Sequence, residues 1–265
     1  MSGAGDCRLG VLAFGDSITN GGGELQWGVA LQSWALWVAR GLGLPFTSYA
    51  VDGARVRDVV REQIAAFEAR GARPGARYDL GCLYAGVNDV RAPDWDPDAF
   101  AADFATALAA LDGRCDRLLA VTLPLDLGRP RAPQAALEAA NATVEAVARA
   151  HGALVLDLRG FGARNLVMTD HVHPTAFGQV AIAERALAVL ARDGADVRVR
   201  PSALIRPAER TPLRALKGDW TYAYRRLKVA GREVRSAAAA RRAARAASGS
   251  PASSRTSASR TPASP

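Results

Sequence analysis

The sequence predicts an α/β chain folded as a three-layer α/β/α sandwich, with a central parallel sheet of about five strands. Three observations carry that expectation. Short apolar runs of strand length recur between Leu9 and Leu158, and each is followed by a longer stretch in which apolar residues return every three or four positions. The runs are continuously apolar rather than alternating, as in Val11-Leu12-Ala13-Phe14, which suits strands covered on both faces. Hydrophobic residues make up 49% of the 265, enough for one sizeable core.

Taken in order, the first run is Leu9–Phe14, which stops at Gly15-Asp16-Ser17 and enters a glycine-rich loop. A helix is expected over Trp27–Leu42, its tryptophans Trp34 and Trp37 turned to the core. Phe46–Val51 is the second strand, followed by Asp52-Gly53-Ala54 and a helix over Val56–Arg70. The third, Leu80–Ala85, contains Cys82 as a small buried hydrophobe and runs into Gly86-Val87-Asn88-Asp89; Pro97–Leu111 is its helix. Arg117–Leu123 and Pro133–Ala150 form the fourth pair, with His151 as the helix cap. Ala153–Leu158 and Pro174–Ala191 form the fifth. Strands separated by helices of this length join through right-handed crossovers, and the expected strand order is the flavodoxin-like 2-1-3-4-5.

The charge divides the chain. From Val197 onward there are 16 Lys and Arg against 3 Asp and Glu, a net +13, which leaves −5 for residues 1–196. The body, residues 1–196, is therefore mildly acidic, and the basicity belongs to an appendage. Residues 197–211 read as a linker and 212–247 as a basic amphipathic helix, with Leu213, Leu216, Trp220, Tyr224 and Leu227 on one face. Residues 248–265 are a Ser/Ala/Pro/Arg-rich tail with the composition of disorder. That helix makes an anionic membrane surface a candidate partner; nucleic acid is not expected. No long apolar span and no leader pattern are read, so the expected location is cytoplasmic. Cys7, Cys82 and Cys115 are too few and too far apart for a disulfide framework or a metal pair, and no cofactor or metal is expected.

In an open parallel sheet the carboxyl ends of the strands form the ligand cleft. Four loops there bring polar residues: Ser17 after the first strand, Gly53 after the second, Asn88 after the third, and Asp170-His171-Val172-His173-Pro174 after the fifth. Those types suit acyl transfer. A serine hydroxyl needs a base to accept its proton, and an imidazole needs a carboxylate to hold its tautomer. His173 and Asp170 fit these roles; the backbone N–H groups of Ser17 and Gly53 and the Asn88 amide are candidate oxyanion donors. Asp16 is assigned to the loop, as an acceptor of its amides, and His171 to the rim.

Gly15-Asp16-Ser17, Gly53, Gly86-x-Asn88-Asp89 and Asp170-x-x-His173-Pro174, in this order, resemble the four signature blocks of the SGNH hydrolases, the GDSL esterase/lipase family. The resemblance covers roughly residues 9 to 190 and departs at Ser48 and Ala50, where the family often carries asparagine and glycine. It implies the flavodoxin-like SGNH hydrolase fold, with Ser17, Asp170 and His173 catalytic and Ser17, Gly53 and Asn88 as the oxyanion hole. It also implies a small-molecule acyl ester substrate, an acyl-serine intermediate and no cofactor. An O-acyltransferase or carbohydrate deacetylase is the alternative within the family. Outside it stands a membrane- or nucleic-acid-associated protein acting through its basic tail.

Overall fold

The computed structural model describes residues 9–24, 29–71, 76–127, 132–163 and 165–205. The expected basic helix, the tail, Cys7 and Trp27 lie outside the described residues.

Five parallel strands form one sheet: β1 (Val11–Gly15), β2 (Phe46–Ser48), β3 (Leu80–Tyr84), β4 (Leu118–Val121) and β5 (Leu154–Leu156), in the order β2-β1-β3-β4-β5. This is the 2-1-3-4-5 order the alternation predicts. β1 lies between β2 and β3, paired with β2 through Val11↔Phe46 and with β3 from Val11↔Leu80 to Gly15↔Tyr84. Every residue of β1 and β3 is buried, which explains their unbroken apolar character.

The helices in chain order are α1 (Ser17–Asn20), α2 (Trp34–Leu42), α3 (Val56–Asp58), α4 (Ala65–Ala69), α5 (Val87–Val90), α6 (Pro97–Asp112), α7 (Gln134–Ala150) and α8 (Ala176–Arg192). α2 packs on α8 over one face of the sheet, and α6 packs on α7 and α3 over the other. Asp96 caps α6 by accepting from the Asp98 and Ala99 amides, and Pro97 supplies the preset first turn. Phe14, Tyr49 and Phe67 meet with ring centroids 5.6–5.9 Å apart and lock β1 to the loop after β2 and to α4.

Three segments differ from the periodicity. α2 starts at Trp34 rather than Trp27, because Ser33 caps it by accepting from the Ala35 amide. The helix expected over Val56–Arg70 contains a π-helical turn, Val59–Ile64, which links α3 to α4 and carries Gln63 into the interior. The described part of the stretch read as a linker runs along the body: the Arg198 and Val199 amides both donate to Gly41 O, and a 3₁₀ turn, Pro201–Leu204, follows with Pro201 buried.

Candidate active site

The turn that carries Ser17 is held at its base by a residue 48 positions further along the chain. Gln63 accepts from the Gly15 amide at 3.0 Å and donates to the Gly15 carbonyl at 2.8 Å, so its side chain pairs with β1 as a further strand would. Asp16 follows, 1% exposed, and its Oδ1 accepts from the Ile18 amide to cap α1. That is the loop role expected of it. Its Oδ2 is buried without a hydrogen-bond partner among the described residues, and burial pushes its pKa up to about 7.

Ser17 opens α1, and the glycines after it let the loop turn back toward the end of the chain. Gly23 lies so close to Pro174 that a Cβ there would stand 2.1 Å from the Pro174 carbonyl oxygen. The Ala176 amide donates to Glu24 O at 2.9 Å in the same contact. Gln179, wholly buried on α8, donates to both Ile18 O (3.0 Å) and Gly22 O (3.1 Å) and accepts from the Trp34 amide at 2.8 Å. These contacts bring the loop after β1 against the start of α8, more than 150 positions away.

Ser17 Oγ consequently lies 2.9 Å from His173 Nε2, across 156 positions of sequence. His173 Nδ1 lies 2.7 Å from Asp170 Oδ2, and Asp170 Oδ1 accepts from the Val172 amide at 2.9 Å and the His173 amide at 3.0 Å. The Asp170–His173 loop turns through His171 at φ 58°, the one non-glycine residue with positive φ among those described. Burial works to raise the Asp170 carboxyl, but its hydrogen bonds to the His173 ring and to the two amides outweigh it and hold its pKa below the usual range. The same hydrogen bond to Asp170 raises His173 above its ordinary value. An ionised Asp170 requires the proton on Nδ1, which leaves the Nε2 lone pair facing the Ser17 hydroxyl.

Asn88 lies on α5, directly after β3, and donates through Nδ2 to Ala54 O at 3.0 Å, which joins it to the loop carrying Gly53. Gly53 sits in a turn closed by the Ala54 amide donating to Val51 O, with φ 78°, a left-handed value suited to glycine. Asp89 accepts from the Val56 amide through both carboxylate oxygens at 3.2 Å, and burial raises it to about 6. His171 pairs with Asp126 at 3.2 Å on the exposed rim. Among the described residues no three His, Cys, Asp or Glu side chains gather as metal ligands would.

A profile of the GDSL-like lipase/acylhydrolase family matches residues 13–181. The chain belongs to this family. As a GDSL-like hydrolase it hydrolyses ester bonds, and the match takes in β1 from Ala13 onward, the other four strands and the loops after them. Its fold is shared with solved structures of low identity. A lipolytic protein of the G-D-S-L family from Veillonella parvula is 21% identical, with 69% of this chain and 98% of that one covered and a TM-score of 0.55. The acetylxylan esterase Axe2 from Geobacillus stearothermophilus is 18% identical over 70% and 96% of the two chains, with a TM-score of 0.52. LAE5, an alpha/beta hydrolase from the metagenome of Lake Arreo, is 21% identical over 69% and 94%, with a TM-score of 0.53. No curated protein sequence matches this GDSL-like hydrolase.

The residues that motif reading missed are Gln63 and Gln179. Each is a polar residue on the apolar stripe of its helix, in the series Val56, Val59, Gln63, Phe67 and Ala176, Gln179, Ala183, Leu187. A glutamine in such a place is the available signal, because a buried amide needs partners.

Proposed function

We propose that the protein is a serine esterase that hydrolyses carboxylic esters or thioesters of small or lipid-like substrates through an acyl-serine intermediate. The observation that carries this reading is the unbroken Ser17–His173–Asp170 hydrogen-bond series, at 2.9 and 2.7 Å. His173 Nε2 takes the Ser17 proton as Oγ bonds to the acyl carbon, and the carbonyl electron pair moves onto oxygen. The Ser17 and Gly53 amides and the second Nδ2 proton of Asn88, whose first is given to Ala54 O, would receive that charge. Collapse breaks the bond to the leaving alcohol or thiol, which departs with the proton from His173. Water, deprotonated by the same nitrogen, then releases the acid and restores Ser17.

A carbohydrate acetyl ester is the second reading. A cavity of about 50 Å³ beside Asp89 supports it: Trp95, Arg55, Arg57 and Asp94 line this cavity and offer a ring face and charged hydrogen-bonding groups to a polar acyl acceptor. The acetylxylan esterase among the structural neighbours points the same way.

The test is a panel of aryl esters of increasing chain length, acetylated sugars and acyl thioesters, run beside labelling with a fluorophosphonate. Turnover of one class with label on Ser17 is expected. Full esterase activity in Ser17→Ala would overturn the mechanism, and acyl transfer to an added alcohol faster than hydrolysis would make the protein an acyltransferase.

A further inference from the structure

We propose that the hydrogen bond between Asn20 and Asp52 is a clasp that restrains the Asp52–Gly53 peptide, and with it the direction of the Gly53 N–H, which makes Asn20 and Asp52 positioning residues for acyl transfer. The inference rests on the esterase reading above and extends it to two side chains outside the motif blocks. Asn20 is the last residue of α1, the short helix that Ser17 begins, and its Nδ2 donates to Asp52 Oδ1 at 2.9 Å. Asp52 directly precedes Gly53, so the bond runs from the nucleophile's own helix to the peptide unit that carries the Gly53 N–H.

That peptide unit belongs to a turn with two accessible forms. Val51-Asp52-Gly53-Ala54 is a β-turn closed by the Ala54 amide donating to Val51 O at 3.2 Å, and Gly53 has φ 78°, the value of the third residue of a type II turn, about +80°. Type I and type II turns differ by a flip of the central peptide, here Asp52–Gly53, which reverses its N–H. Glycine at the third place permits both forms, so the turn alone does not choose between them. Packing does not choose either. Among the described residues no atom beyond its chain neighbours lies within 4 Å of where a Gly53 Cβ would be, and Val51 is 48% exposed.

Polar ties hold the flanks. The Val51 amide donates to Gly15 O, Asn88 holds the Ala54 carbonyl and Asp89 holds the Val56 amide. Each fixes an end of the turn and leaves its central peptide free to rotate. The Asp52 side chain branches from the residue whose ψ sets that peptide, and anchoring it on Asn20 restrains the flip. Donors aimed at a developing oxyanion act through their preorganisation, so a turn that spends part of its time flipped loses rate and not ground-state binding.

The test compares Asn20→Ala, Asp52→Ala, the double variant and Asp52→Asn with the wild-type full chain, using a short aryl ester and the rate of fluorophosphonate labelling at Ser17. Each alanine variant should lower kcat and the labelling rate by about tenfold while KM stays within about twofold. The double variant should be no slower than either single one, because one bond is lost in all three. Asp52→Asn keeps an acceptor for Asn20 and should recover most of the rate. Wild-type rates in both single variants would overturn the clasp. So would losses that multiply in the double variant, or a loss that only follows a fall in folded fraction. A wild-type protein that neither labels nor hydrolyses any ester overturns the acyl-serine reading and the clasp with it; a wild type that labels beside unaffected variants removes the clasp alone.

Discussion

Asp170 and His173 are joined twice: Asp170 Oδ2 meets the ring Nδ1 at 2.7 Å, while Oδ1 accepts from the His173 backbone amide at 3.0 Å. One carboxylate thus fixes both the ring and the backbone that carries it, and the imidazole is aimed at Ser17 by a rigid local turn.

The first prediction concerns pH. The proposed mechanism needs neutral His173, and its hydrogen bond to Asp170 raises its pKa above the ordinary 6.5. The acid limb of kcat/KM is therefore expected above that value. In Asp170→Asn the support for the imidazolium is lost, so the limb should move to lower pH while the plateau falls by about 10³- to 10⁴-fold. An unmoved limb in pH–rate profiles would separate Asp170 from the titrating histidine.

Asp16→Asn tests the buried carboxyl. Asparagine keeps the acceptor for the Ile18 amide and removes a charge that favours the His173 cation, so the acid limb of kcat/KM should again shift downward. Asp89 and Tyr84 are the other titrating groups whose charges couple to Asp16. For stability the sign follows from linkage. With a value of 3.8 unfolded and about 7 folded, Asp16 binds more protons in the native state between those limits. Its contribution to stability thus declines as pH rises through that window. The melting temperature of the variant should change less between pH 4 and pH 8 than that of the wild type.

Replacing Asn88 with alanine removes the proposed oxyanion donor and the tie to Ala54 O together. A loss of about a hundredfold in kcat, with a much smaller change in KM, is the expected result in steady-state kinetics.

Gln63→Leu keeps the buried volume and abolishes both hydrogen bonds to Gly15. The buried Gly15 N–H is then left unpaired while the carbonyl keeps the Val51 amide, and urea unfolding should show a loss of about 1–3 kcal/mol. The folded fraction should also react more slowly with fluorophosphonate, because Gly15 is the base of the turn that presents Ser17.

The elements of this molecule are written locally. Val11–Phe14 and Leu80–Tyr84 are legible as buried strands because every residue is apolar, and α6 because Asp96-Pro97 begins it. The strand order is the flavodoxin-like one expected of such an alternation, and Ser17, Asp170 and His173 are legible as candidates because polar blocks fall in order at the strand ends where an open parallel sheet has its cleft. The seven-residue error at the start of α2 has a local cause, since Ser33 is a short cap signal beside a longer apolar periodicity.

What only the tertiary structure decided is how the loops are held against one another. Gln179 reaches Ile18 across 161 positions, Gln63 reaches Gly15 across 48, Asn20 reaches Asp52 across 32, and Gly23 meets Pro174 without any side chain to announce the contact. Hydrogen bonds from side chains to distant backbone groups leave no period in the sequence, because the backbone partner is the same whatever residue carries it. The sequence by itself determined the five strands, their order and the identity of a serine, a histidine and an aspartate. The distances of 2.9 and 2.7 Å among those three are set by glutamines and glycines whose partners exist only once the chain has folded.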